Sequence, residues 1–199
     1  MGRRQLSSYN DYARALKSGY GLGDGASYTP WIRAKDVPSR GRSTNISGIK
    51  TNRIHETLSD HESRVFYLAE FNQNISDLRE QFPLIPLDIA VALANNAGLT
   101  YPTKNKGPSV LTTDFLLTFT PNSKYEFMAL AVKPSAELLK RNVRERLEIE
   151  RIFWVSQGIP WKLVTEKQIP ITAADNLKYI TKPLRGDDPG LEIVIRSFK

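Results

Sequence analysis

The chain has no cysteine, so neither disulfide bonds nor thiolate metal ligands enter its chemistry. A reducing cytoplasm is the expected compartment. No apolar run approaches the roughly 20 residues that span a bilayer, so a membrane protein is not expected. The opening MGRRQLSSYNDYARAL carries basic residues with no continuous apolar stretch behind them, which speaks against a secretory signal. Internal repeats are missing as well. The glycines of GYGLGDG follow no strand and fit neither the Rossmann nor the P-loop spacing, so they predict a mobile connector and no nucleotide site.

What is present is a 199-residue chain, 40% hydrophobic and 10% aromatic, enough for one globular domain with extensions. Its net charge of +7 is unevenly spread. Between residues 31 and 55 stand Arg33, Lys35, Arg40, Arg42, Lys50 and Arg53 against the single acid Asp36. A basic stretch rich in Gly, Ser, Asn and Thr suits a flexible arm that follows DNA phosphates and releases their counterions. A solvated surface loop is the alternative.

Residues 8 to 17 predict a short helix capped by Ser8 and stopped at Gly19. Regular order is expected to begin at Leu58. Ser59-Asp60-His61-Glu62 reads as a capping box, with Glu62 reaching back to the Ser59 amide, and a helix from about Asp60 to Asn72 follows. A strand from Ile75 to Phe82 and a helix over 86 to 97 come next. LTTDFLLTF (111 to 119) and YEFMALAV (125 to 132) form an antiparallel hairpin. A long helix from about Ser135 to Gln157 should turn Leu139, Val143, Leu147 and Trp154 inward, and Pro160 to Thr165 adds a strand. A short helix near Ala173 to Ile180, a polar turn at 186 to 190 and the apolar run LEIVI close the chain. The order describes an α/β protein, a mixed sheet with helices packed on it. It divides into an N-terminal helix and basic arm (1 to 56), a core (57 to 168) and a short extension (169 to 199).

Strand alternation puts Thr112, Asp114, Leu116 and Thr118 on one face, and Phe127, Ala129, Ala131 and Lys133 on the facing one. A hairpin symmetric about residues 123 and 124 sets Asp114 opposite Lys133. Two readings stand. One is a cross-strand ion pair worth about 0.2 to 1 kcal/mol. The other is phosphodiester hydrolysis, in which a carboxylate holds Mg²⁺ and a lysine orients water or stabilises developing charge. Glu62 is equally open, since a capping-box glutamate needs no further role. His61 is expected to be a partly exposed helix residue, because hard Mg²⁺ prefers oxygen.

The strings LSDHESRVFYLAEF, DLREQFPL, TTDFLLTF, AVKP, LEIERIFW and IPW resemble the catalytic domain of TnsA, the endonuclease of Tn-seven-like transposons, and YTPWIRAKDVPSRGRS upstream resembles that family's N-terminal region. The likeness runs from about residue 12 to residue 168. It implies a restriction-endonuclease-like fold of the PD-(D/E)xK type that cuts the non-transferred strand at the 5′ ends of a transposon. The implied cofactor is Mg²⁺, with Mn²⁺ as a substitute. The implied partners are transposon-end DNA, a TnsB-like recombinase of the DDE type and a TnsC-like ATPase regulator. Glu62, Asp114 and Lys133 align with the catalytic residues, and Glu62, Asp114 and the Val132 backbone carbonyl would hold the metal. The position two before the lysine, usually an acid or amide, is Ala131. Either the site tolerates that loss, or the chain is a weakened nuclease-fold subunit acting in DNA binding and transpososome assembly. Longer members of the family carry a C-terminal domain; here partner contacts would fall to the tail, the basic arm or the exposed face of the helix over 135 to 157.

Overall fold

The computed structural model describes residues 8–36, 42–104, 107–124 and 126–186. Its centre is a four-stranded sheet in the order β3 (Ile75–Pro83), β6 (Thr112–Phe119), β7 (Phe127–Val132) and β8 (Trp161–Val164), and the short strands β4 (Thr103–Lys104) and β5 (Gly107–Pro108) pair separately. The first three strands are antiparallel, and β8 runs parallel to β7. That parallel pair needs a crossover, and α4 (Arg141–Ser156) supplies it. The mixed α/β fold expected from the element order is what forms.

Alternation along β6 and β7 builds both layers. Phe115, Leu117, Met128 and Leu130 meet Val65, Phe66 and Ala69 of α2 (Asp60–Phe71), while Leu177 of α5 (Ile171–Ile180) packs at the edge. Leu116 and Ala129 face the opposite way, onto Leu87, Ala90 and Ala94 of α3 (Leu87–Asn96) and Ile149, Phe153 and Trp154 of α4. No helix of the described residues is long and apolar enough to cross a membrane.

Order does not wait for Leu58. Helix α1 (Tyr9–Lys17) is capped by Ser8, whose hydroxyl accepts from the Asp11 amide. Strands β1 (Thr44–Ser47) and β2 (Ile54–Thr57) form an antiparallel hairpin, and Trp31 is 1% exposed. The glycine segment is no loose connector either. Tyr20 bridges to Thr29, the Gly25 amide donates to Asp77 Oδ2 at 3.1 Å, and Gly21, at φ +74°, lies so near Pro83 that a Cβ would stand 2.4 Å from its ring. Composition had suggested flexibility, but long-range contacts override it.

The segment after β7 also departs from expectation. Ser135–Leu139 is a 3₁₀ turn, Lys140 is extended, and α4 begins only at Arg141. Ser135 is pinned by Glu166, which accepts from its amide at 2.7 Å, and Arg144 Nη1 donates to the carbonyls of Leu138 and Leu139 that the break leaves open. The offset turns Leu139 outward, 81% exposed, whereas Leu147 and Trp154 face inward as expected. The LEIVI run lies outside the described residues.

Candidate active site

Glu62 enters the site from the first turn of α2. Ser59 caps that helix, accepting from the Glu62 amide at 3.2 Å. The returning carboxylate takes the Leu58 amide at 2.9 Å and the Ser59 hydroxyl at 2.9 Å, one residue away from the Ser59 amide that the capping box predicts. The carboxylate is thus fixed while its residue is 5% exposed. Burial first, and the neighbouring Asp114 charge second, push the Glu62 carboxyl up to about 7.

Asp114 lies near the start of β6. The register pairs Phe115 with Leu130 and Leu116 with Ala129, two residues away from the symmetric hairpin, so Asp114 faces Ala131 and not Lys133. A shift of two preserves the face. The long lysine stem closes the gap: Lys133 Nζ donates to Asp114 Oδ2 at 2.7 Å and to the Val132 carbonyl at 3.0 Å. The Val132 amide donates to the same Oδ2 at 2.6 Å. Burial disfavours the Lys133 ammonium, but the Asp114 carboxylate outweighs it and raises the lysine above its ordinary value.

Two further side chains complete the group, and the sequence reading missed both. Gln81 of β3 donates through Nε2 to Asp114 Oδ1 at 3.3 Å and reaches Glu62 Oε2 at 3.5 Å. Glu150 of α4 accepts from the Thr113 hydroxyl and, at 3.0 Å, from Trp161 Nε1. Burial, then the charge of Asp114, lifts its carboxyl to about 7. Its signal was its spacing: Glu150 falls between Leu147 and Trp154 on the apolar stripe, where an acid is out of place. Glu62, Gln81, Asp114, Lys133 and Glu150 all line one cleft of about 510 Å³. His61 is half-buried beside Glu62, and among the described residues no three His, Asp or Glu side chains form a ready metal cage.

The site residues suit a hard cation by their donor chemistry. Two buried carboxylates sit close enough for one to raise the pKa of the other, and the Val132 carbonyl adjoins them. Mg²⁺ is typically held by one or two carboxylates with waters completing the shell.

The basic residues separate into different environments. Lys35 and Arg42 are exposed, and Arg33 lays its guanidinium over the Tyr20 ring at 5.1 Å. Arg40 lies outside the described residues. Arg53 corrects the expectation of a phosphate-tracking arm: it forks onto Glu80 at 2.7 and 2.6 Å and donates to the Leu78 carbonyl at 2.8 Å. Lys50 is likewise committed, to the carbonyls of Asn72 and Ile75. Both cations satisfy interior acceptors because their partners come from β3 and its approach, far along the chain. Lys104 and Arg146 line the cleft instead.

Comparison with known proteins adds two findings. The family described as TnsA-like endonuclease N terminal matches residues 72–166, a span holding Gln81, Asp114, Lys133 and Glu150. Transposon Tn7 transposition protein TnsA of Escherichia coli is 39% identical over 168 residues, covering 84% of this chain and 61% of that protein. The chain thus spans about three-fifths of the length of the curated relative it matches.

Proposed function

From the premise that this chain carries a TnsA-like endonuclease domain of restriction-endonuclease type, we propose that it is the metal-dependent DNA endonuclease subunit of a transposase. It cuts the non-transferred strand at the 5′ ends of a transposon, beside a TnsB-like DDE recombinase and a TnsC-like ATPase. The observation that carries this reading is the convergence of Glu62, Asp114 and Lys133 in one cleft. Glu62, Asp114 and the Val132 carbonyl would hold Mg²⁺, or Mn²⁺ in its place; bound there, the ion would act as a Lewis acid on the phosphate and lower the pKa of an attacking water. Lys133 stays charged beside Asp114 and directs its ammonium at charge developing on the phosphate. Lys35, Arg40, Arg42 and Arg33, with Lys104 and Arg146 at the cleft, are the DNA contacts.

Asp114→Ala should lower 5′-end nicking at least about 100-fold, the scale of a lost electrostatic contribution at a reacting centre, in a strand-resolved assay with TnsB-like and TnsC-like partners present. Assembly on end DNA should persist. Unchanged nicking would refute the assignment, and wild-type protein that assembles but never nicks would favour a subunit retained for assembly alone.

A further inference from the structure

Gln81 is the residue of the cleft whose placement the fold has to force. Along β3 the register runs Glu80 to Phe115 and then Phe82 to Thr113, so Gln81 stands across from Asp114, yet that pair drops out of the ladder. The reason is a backbone φ of +47° at a non-glycine residue. This left-handed turn flips the pleat. Leu78 faces the α2 layer, whereas Phe82, at an even spacing from it, faces the α3 and α4 layer. Strain of this kind persists only where surrounding structure over-determines it, and it concentrates at functional positions. Here the Gln81 carbonyl accepts from the Trp31 amide at 3.2 Å, and the side chain, 3% exposed, is delivered between two carboxylates.

The contacts of that amide have a single logic. Its Nε2 is within 3.5 Å of one oxygen from each carboxylate, Glu62 Oε2 and Asp114 Oδ1, while its Oε1 accepts from the Thr112 hydroxyl at 2.9 Å. The amide nitrogen thus occupies the position where positive charge is wanted. A half turn about the Cγ–Cδ bond exchanges Oε1 and Nε2. Thr112 loses nothing, because a hydroxyl that donated to Oε1 can accept from Nε2. The oxygen then faces the two carboxylates. On the other side of Asp114 stands Ala131, 0% exposed and without a polar atom in its side chain.

We propose that Gln81 is the third side-chain ligand of the divalent cation, turning its amide oxygen toward the ion that Glu62 and Asp114 hold and handing its amide nitrogen to Thr112. This rests on the metal-dependent reading above, and the test separates the two. Mn²⁺ alone is titrated into the full chain by calorimetry, with thermal unfolding in chelator as the check on folding. Gln81→Asn tolerates a positive φ but withdraws the amide by one methylene, and should weaken Mn²⁺ binding at least tenfold. Gln81→Glu keeps an oxygen in place and should bind at least as tightly as wild type while melting lower in chelator, where three carboxylates face one another. Wild-type affinity in Gln81→Asn, or a loss of affinity in Gln81→Glu, overturns the proposal if Asp114→Ala still abolishes binding. Binding that survives Asp114→Ala, or a wild-type chain that takes up no Mn²⁺, overturns the parent reading and this one together.

Discussion

Arg53→Met removes a guanidinium from the interior while keeping most of the apolar stem. The Arg53 side chain is 7% exposed and its partner Glu80 0%, so the pair is a buried one. The substitution deletes both bonds to the Glu80 carboxylate and those to the Gly25 and Leu78 carbonyls. Removing one partner of a buried pair costs about 3 to 5 kcal/mol, because the other charge is left uncompensated. Glu80 keeps His55 Nδ1 at 2.8 Å and the Glu56 amide at 3.3 Å, so the lower end, about 3 kcal/mol, is expected. There is a second signature. Burial alone would raise the Glu80 carboxyl, but the hydrogen bonds of Arg53 and His55 bring it down to about 2. A depressed acid contributes stability above its unfolded value of 4.5 and loses it as pH falls toward 2. The variant has less of that contribution to lose, so the gap to wild type should be widest near neutral pH and shrink under acid. Urea unfolding followed by tryptophan fluorescence, near pH 7 and near pH 3, reads both effects. A change within about 0.5 kcal/mol near pH 7, the range of ordinary surface substitutions, would refute the buried clamp and return Arg53 to the exposed arm.

The lifted carboxyls make an opposite prediction about pH. Glu62 and Glu150 are raised to about 7, so in chelator the stability they contribute should be full below about 4.5 and decline as pH climbs through 7, by an amount on the order of 3 kcal/mol each; a flat profile across that window in urea titrations would contradict it. Arg185→Met should cost about 3 kcal/mol, since Arg185 joins Glu70 in a pair whose side chains are both 3% exposed and also donates to the Ser47 carbonyl at 2.5 Å; unchanged urea stability would mean that the segment after α5 is not fastened to α2. Arg42→Ala should weaken DNA binding and reduce its salt dependence by about one unit of slope, whereas an unaltered slope in filter or anisotropy titrations would leave Arg42 as a solvated loop residue.

Legibility in the sequence followed the range of the interactions involved. The capping residue Ser59, the hairpin and the strand after the long helix are written in local patterns, and they formed where those patterns lie. Asp114 and Lys133 were paired from the wrong register, yet they meet, because side-chain period two survives a slip of two and a lysine stem spans the difference. Arg53 was misread as part of an exposed arm because it finds Glu80 at a separation of 27 residues, and nothing within the basic segment announces that partner. Glu150 was readable from its place on the apolar stripe of α4. Gln81 was not, since its left-handed backbone is imposed by Trp31 and β6, and REQFPL alone carries no sign of it.

An interior strand residue has two lateral neighbours, and the chemistry of Asp114 follows from how unequal its own are. Toward β7 it meets the methyl of Ala131, so no side chain of that strand opposes its charge; the Val132 amide and, from beyond the strand end, the Lys133 ammonium do so instead. Toward β3 it meets the carboxamide of Gln81, with Glu62 behind it. The buried part of the cleft therefore holds three carboxylates, Glu62, Asp114 and Glu150, that share Lys133 as a cationic neighbour, while Asp36, Glu137, Lys104 and Arg146 line the cleft around them. Burial makes that excess of negative charge costly, and the protein answers by holding protons: two of the three carboxyls are lifted to about 7. A divalent cation held by Glu62 and Asp114 would compete with the Glu62 proton for the same oxygens. Its uptake should release protons near neutral pH and tighten as pH rises through 7, which couples occupancy of the site to the ionisation that a hydrolytic role requires.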